Sequence, residues 1–383
     1  MIAKRVAAWV AGIAALIAVG SGQAAAASLD TIAKQAILVD MSTGAVLFEK
    51  NADQRMPPSS MSKIMTMYMV FERLKAGKLS FDDTFPVSQR AWRMQGSKMF
   101  VELNNSIRVE DLIRGVIIQS GNDACIVLAE GLEGSEDAFA AKATARAKEL
   151  GLTASNFANS TGWPDERHYT TARDMATLAY RLIVDFPEYY RFYSEREFTY
   201  HGIKQGNRNP LLYRGIGADG IKTGHTDAAG YGLTASAERN GRRLILVVNG
   251  LPSMQARADE SARILEWGFR EFSLVSLFRP GDVVDSAPVW LGMQEKVPVT
   301  VEAPASITVE RADRDKLQVK MVLDGPVPAP VAKGTKVGRL VVSGPVLGTR
   351  EFPLVAAEDV QQLNFLGRIA AAAKHMVLGS SNN

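Results

Sequence analysis

The spacing of apolar positions changes several times along the chain. In "QAILVDMSTGAVLFEKN" they alternate in two runs around Ser42-Thr43-Gly44, a pattern of period two that predicts a β-hairpin. The next run, "KIMTMYMVFERLKAG", predicts a helix ending near Gly77, entered through Pro57 and Pro58, which fix the chain's approach. "VEDLIRGVIIQS", "DACIVLAEGL", "SEDAFAAKATARAKELG" and "TARDMATLAYRLIVDF" carry apolar residues at helical spacing, so the middle of the chain is expected to be mostly α-helical. Strand spacing returns at "YGLTASAERNGRRLILVVNG", where Asn240-Gly241 predicts a two-residue hairpin turn, and a helix over about 257–272 follows. Strands at both ends of a helical middle predict an α+β domain whose sheet joins distant segments.

Near "FRPGD", Phe278 to Asp282, helical spacing stops and short Val-rich runs broken by Pro and Gly take over. This predicts a separate small all-β domain. Beyond it, Val360, Leu363, Phe365, Leu366, Ile369, Ala370, Ala373, Met376 and Val377 form an apolar stripe at helical spacing. That stripe fits either a core helix on the β-domain or an amphipathic helix in a membrane interface. At the other end, Lys4 and Arg5 precede an apolar run from Val6 to Val19, followed by small residues through Ala27. The order matches a secretory signal peptide, with a retained membrane anchor as the alternative. The expected organisation is therefore signal peptide 1–27, main domain 28–277, all-β domain 278–356, and amphipathic helix with tail 357–383.

Composition narrows the function classes. Losing Lys4 and Arg5 with the leader takes the net charge from +3 to +1, and so near-neutral a chain gives no reason to expect a nucleic-acid partner. The single cysteine, Cys125, cannot form an internal disulfide and sits in an apolar helical context, so it reads as a small buried hydrophobe. The four histidines, His168, His201, His225 and His375, show no ligand spacing, and no metal is expected.

Three short motifs carry candidate chemistry. In "PPSSMSKIMT", Ser60 and Lys63 are three residues apart, close enough on one helix face for a hydroxyl to meet an amine. A serine becomes a nucleophile when a neighbour takes its proton, and a lysine can do so once its pKa is lowered. Ser59 reads as the residue that begins or caps the helix, and Ser62 could face the sheet or solvent. In "QSGNDA", Ser120-Gly121-Asn122 lies between two helices, as a loop pointing polar groups into a cleft or as a helix cap. In "DGIKTGHTDAAGYG", Lys222 offers positive charge, Thr223 can donate to a carboxylate, and Gly224 lets a ligand approach the backbone. S-x-x-K, S-D-N and K-T-G in that order form a joint signature of penicillin-binding proteins and class A β-lactamases; here the middle motif reads Ser-Gly-Asn, which points away from class A β-lactamases.

With these motifs and the longer blocks "LIRGVIIQSGNDAC", "GSKMF", "DGIKTGHTDAAGYGLTASA" and "ILEWGF", the exported chain resembles the low-molecular-mass penicillin-binding proteins, serine-type D-alanyl-D-alanine carboxypeptidases. The resemblance implies a penicillin-binding, β-lactamase-like α+β domain, an antiparallel sheet with a helical subdomain, then an all-β domain and a C-terminal amphipathic helix. It implies that Ser60 forms an acyl-enzyme with Lys63 as base, Ser120 relaying a proton and Asn122 fixing Lys63. Lys222, Thr223, Gly224, His225, Arg208 and Arg257 would bind substrate, with the backbone N–H groups of Ser60 and His225 facing the oxyanion. The implied partners are a peptidoglycan stem peptide ending in D-Ala-D-Ala, β-lactams as covalent inhibitors, and a membrane surface met by the C-terminal helix. No cofactor is implied, and the place of action would be the periplasmic face of the bacterial inner membrane.

Rival readings each make a demand. A β-lactamase would need a deacylating carboxylate; no obvious counterpart is visible, and "EDAF" and "WPDER" keep that reading open. An endopeptidase would share every motif, and a non-catalytic wall-binding scaffold would be expected to lose the nucleophile or base. His168 in "DERHYTT" could line the cleft, but a lone loop histidine reads first as an exposed residue outside the catalytic set.

Overall fold

The computed structural model describes residues 29–345 and 348–378, so the leader expected at 1–27 lies outside the described residues. Two strands, β1 (Gln35–Asp40) and β2 (Val46–Lys50), open the fold as an antiparallel hairpin. Helices α1 (Lys63–Lys75), α2 (Val109–Ile117), α3 (Asn122–Glu133), α4 (Glu136–Glu149) and α5 (Ala172–Asp185) make a helical lobe. Then come β3 (Ala218–Thr226), β4 (Gly230–Arg239), β5 (Arg242–Leu251) and α6 (Met254–Glu271). The five strands form one sheet in the order β2-β1-β5-β4-β3, so the first hairpin does join the C-terminal strands.

Both faces of this sheet are covered. Ile37, Ile245 and Val247 join the core of the helical lobe, while their neighbours Leu38, Leu246 and Val248 join Ile264 and Leu265 of α6 on the other face. Central strands apolar on both faces follow from that sandwich. Asn240 and Gly241 both take positive φ, 52° and 74°, as a primed hairpin turn requires.

The second domain holds β6 (Phe272–Phe278), β7 (Asp285–Trp290), β8 (Lys296–Val301), β9 (Ala305–Glu310), β10 (Gln318–Leu323), β11 (Val327–Pro328), β12 (Lys336–Gly344) and β13 (Gly348–Ala356). Six of them form a sheet in the order β10-β12-β13-β8-β7-β11, and β6 pairs with β9. Strand β6 starts directly after α6 and runs across the break expected at 277/278. A hydrogen bond to a buried ion pair ties the domains: Asp40 of β1 accepts from Arg242 Nε of β5 at 2.7 Å and from Thr308 Oγ1 of β9, in the second domain, at 2.9 Å.

The last helix, α7, spans Phe365–Leu378. Val360, read as the first position of the amphipathic stripe, is instead 1% exposed in the β-domain core and bridges Val331 in an extended segment. Helical spacing alone does not show where that segment ends. On α7 itself Phe365, Leu366 and Ile369 are largely exposed. Among the described residues no helix is long and apolar enough to cross a membrane.

Candidate active site

The two prolines lead into a 3-10 turn, Ser59–Ser62, which continues into α1 at Lys63. Ser59 makes no cap hydrogen bond. It is buried with φ 50°, and its Oγ lies 3.3 Å from Thr226 Oγ1, so it starts the turn without capping it. The close approach of Gly162 holds this backbone in place: a Cβ there would lie 1.8 Å from the Ser59 carbonyl oxygen. One turn separates Ser60 from Lys63. The amine is completely buried, with Nζ 2.8 Å from Ser60 Oγ, 2.8 Å from Asn122 Oδ1 and 2.6 Å from the Thr161 carbonyl. Two of these neighbours are pure acceptors, so a neutral amine directs its lone pair at the Ser60 hydroxyl. Burial pushes the Lys63 pKa from 10.5 down to about 8; Asp123 and Glu136 oppose the fall and Arg208 adds to it.

Ser62 faces inward, with its Oγ 2.7 Å from His168 Nε2. His168 is therefore not the exposed loop residue expected: it is 4% exposed and accepts the Ala158 N–H at Nδ1. Burial lowers its pKa to about 4, so it stays neutral and anchors the loop to the start of α1. The sequence hid this because Ser62 and His168 are 106 positions apart.

Ser120 takes φ 64°, and its Oγ is buried with no hydrogen-bond partner among the described residues. Asn122 begins α3 without capping it. Its Oδ1 holds Lys63 and its Nδ2 donates to the Gln95 carbonyl at 2.8 Å. The next residue, Asp123, carries no signal in the sequence. Fully buried, it accepts backbone N–H groups from Met99, Phe100, Val101 and Ala124, and so fixes the loop after Ser97 against α3. Charge-assisted bonds to four N–H groups compensate a carboxylate that would otherwise be costly to bury. Cys125 is buried as expected, and burial lifts its thiol to about 12, which keeps it inert.

Strand β3 carries Lys222, Thr223 and Gly224 on the sheet's edge, facing the turn at Ser59–Ser62. Lys222 is buried and its Nζ donates to the Thr223 carbonyl at 3.2 Å. Burial, with Lys63 and Arg208 close by, lowers its pKa well below the ordinary lysine value. Gly224 serves packing first: a Cβ there would meet the Pro58 carbonyl at 3.0 Å and Ser59 Cβ at 3.2 Å. Thr223, Gly224 and His225 line a cleft of about 430 Å³ together with Ser60, Ser120 and Arg208. Arg257 and Tyr231 complete one wall, His225 stacking on the Tyr231 ring at 3.9 Å.

Arg208 and Arg257 form no ion pair among the described residues, and burial lowers the pKa of both. Arg208 Nη1 donates to Ser97 Oγ at 2.5 Å, a lining residue that its "GSKMF" block did not reveal as such. All ten residues singled out from the sequence thus gather at or directly behind one cleft. Its lining contains no carboxylate among the described residues. Glu136 of "EDAF" is turned away, its Oε1 accepting the Ser160 N–H and hydroxyl and its Oε2 pairing with Arg90.

A serine hydroxyl against a buried lysine amine, on an α+β fold with a trailing β-domain, defines a serine-type acyl-transfer hydrolase of the penicillin-binding class. The chain belongs to the D-alanyl-D-alanine carboxypeptidase family, peptidase S11, whose model matches residues 21–253; the penicillin-binding protein 5 C-terminal domain matches residues 272–362. It is 40% identical over 341 residues to the D-alanyl-D-alanine carboxypeptidase DacC of Escherichia coli K12, covering 87% of this chain and 85% of the relative. Penicillin binding protein 5 from Haemophilus influenzae superposes with a TM-score of 0.80 at 37% identity, over 87% of this chain and 99% of the other. Penicillin-binding protein D2 from Listeria monocytogenes in its ampicillin-bound form superposes at 0.58 with 30% identity, over 63% and 98%.

Proposed function

We propose that this protein removes the terminal D-alanine from peptidoglycan stem peptides through an acyl-enzyme on Ser60, and that β-lactams acylate the same hydroxyl. The observation that carries the assignment is the Lys63 amine, 2.8 Å from Ser60 Oγ and lowered by burial to about 8. Lys63 takes the Ser60 proton as Oγ attacks the carbonyl of the D-Ala-D-Ala bond. Ser120, whose Oγ has no hydrogen-bond partner among the described residues, passes a proton to the leaving amine. Backbone N–H groups of Ser60 and His225 receive the oxyanion. Water then attacks the ester, with Lys63 again as the base.

Lys222, Thr223, Arg208 and Arg257 hold the substrate's terminal carboxylate, with Gly224 and His225 along the strand beside it. Buried cations without a counter-ion are costly, and an arriving carboxylate supplies one, raising the Lys222 pKa again. This favours a substrate with a free C-terminus. A peptide ending in D-Ala-D-Ala amide is expected to be cleaved about 10²-fold less efficiently than the free acid, read as kcat/KM from D-alanine or D-alaninamide release. Equal rates would point to an endopeptidase reading. The lack of a carboxylate in the cleft lining among the described residues also favours slow release of β-lactams over a β-lactamase.

Two segments support a place of work for the chain. The leader composition supports export, and the exposed Phe365, Leu366 and Ile369 on α7 support docking at the periplasmic face of the inner membrane. Ending the chain before Phe365 is expected to move the protein from the membrane to the soluble fraction with D-alanine release in detergent-free assays unchanged. Truncation should not start at Val360, which belongs to the β-domain core. Unchanged membrane association of the truncated protein would favour a retained N-terminal anchor.

A further inference from the structure

Lys63 can take the Ser60 proton only while its lone pair faces that hydroxyl. The two N–H bonds of the neutral amine must then point at its two acceptors, Asn122 Oδ1 at 2.8 Å and the Thr161 carbonyl at 2.6 Å. Asn122 is itself held through the Gln95 carbonyl. The Thr161 carbonyl comes from a turn between α4 and α5, 98 positions from Lys63, and needs its own means of being aimed.

A peptide unit is planar, so a hold on its N–H aims its carbonyl. The unit whose carbonyl meets Lys63 carries the Gly162 N–H on its other side, and that N–H donates to Asn159 Oδ1 at 2.8 Å. The unit before it is held in the same way. Its Ser160 carbonyl accepts from Thr66 Oγ1 of α1 at 2.6 Å, while its Thr161 N–H donates to Asn159 Oδ1 at 3.2 Å. The Trp163 N–H reaches the same oxygen at 3.0 Å, and Asn159 Nδ2 donates to the Trp163 carbonyl at 3.0 Å, closing the turn. From behind, Glu136, 4% exposed, accepts the Ser160 N–H at 3.0 Å and the Ser160 hydroxyl at 2.6 Å. An asparagine often organises a turn for the turn's own sake. Here both peptide units it holds end on α1, at Lys63 and Thr66, one helical turn apart.

We propose that Asn159 is a positioning residue for the general base: buttressed by Glu136, its amide aims the Thr161 carbonyl at Lys63 and so keeps the amine's lone pair on Ser60. Asn159 acts only through that carbonyl. Its side chain bonds within residues 161–163, and it does not line the cleft that holds Ser60. The groups assigned to the substrate's carboxylate, Lys222, Thr223, Arg208 and Arg257, lie outside the turn, so its loosening should slow the chemical step and spare binding.

The test compares the full chain with Asn159→Ala, Asn159→Asp and Thr66→Val, each assayed well below its unfolding temperature so that lost stability does not lower the rate. With a D-Ala-D-Ala peptide, Asn159→Ala should lose about 50-fold in kcat while KM changes by about twofold or less, within the roughly 10²-fold that a misplacement of about 1 Å can cost. Asn159→Asp still offers an oxygen to the Gly162 N–H and should recover kcat to within about fivefold of the parent. Thr66→Val keeps the side chain's shape and removes only the tether on the Ser160 carbonyl, so kcat should fall about fivefold. This role presupposes the acyl-transfer reading of Ser60 and Lys63: a parent protein that neither labels with fluorescent penicillin nor releases D-alanine overturns both, whereas with an active parent the variants judge Asn159 alone. An unchanged kcat in Asn159→Ala or, should that variant not fold, in Thr66→Val overturns the proposal. So does a loss carried by KM, or an Asp variant no faster than the Ala variant.

Discussion

Replacing Ser60 with alanine is expected to abolish D-alanine release from a D-Ala-D-Ala peptide, by about 10⁴-fold or more, and to abolish labelling by fluorescent penicillin. The whole chemical step rests on one oxygen. In the variant the Lys63 amine remains in place with Asn122 and Thr161, but nothing in reach can form the ester. Because Ser60 is not among the buried residues and the removed group is a single hydroxyl, the variant should fold and unfold like the parent. Retained labelling would mean that a neighbouring hydroxyl, such as Ser120, carries the acyl group.

Lys63 carries the next largest effect. Lys63→Ala is expected to lower kcat/KM by about 10³-fold, within the range for losing a positioned base, and Lys63→Arg should not rescue it because a guanidinium stays charged. The wild-type pH profile gives the sign. An amine with a pKa of about 8 acts as a base only when neutral, so kcat/KM should rise about tenfold per pH unit up to about 8 and then level off. At pH 7 about one tenth of the protein has a neutral Lys63, roughly 300 times the fraction an unshifted lysine would give. Burial is the largest cause of that shift, so opening the site to water should move the limb upward in pH. A flat profile between pH 6 and 9 would exclude Lys63 as the base.

Much of this was legible in the residues. The motif order gave Ser60, Lys63, Ser120, Asn122 and Lys222, and strand spacing at both ends of a helical middle gave the shared sheet. What stayed hidden depended on contacts between distant positions. Asp123 is invisible as an organiser because three of the four N–H groups it holds lie 22 to 24 residues earlier. His168 looked like a solvent-exposed loop residue because Ser62 meets it only through the fold. Gly224 lines the cleft, and its second role is hidden in the sequence: the space a side chain would take is filled by Pro58, Met61 and Ser59. Val360 continued a helical pattern that the backbone does not follow, since hydrophobic spacing cannot register the β-bridge to Val331.

The most direct measurement is the location of the trapped acyl group. After brief exposure to penicillin, the acid-quenched protein is digested and the modified peptide sequenced by mass spectrometry. A penicilloyl ester on Ser60, within "MPPSSMSK", is the predicted result. An adduct on Ser59, Ser62 or Ser120 with Ser60 unmodified would contradict it.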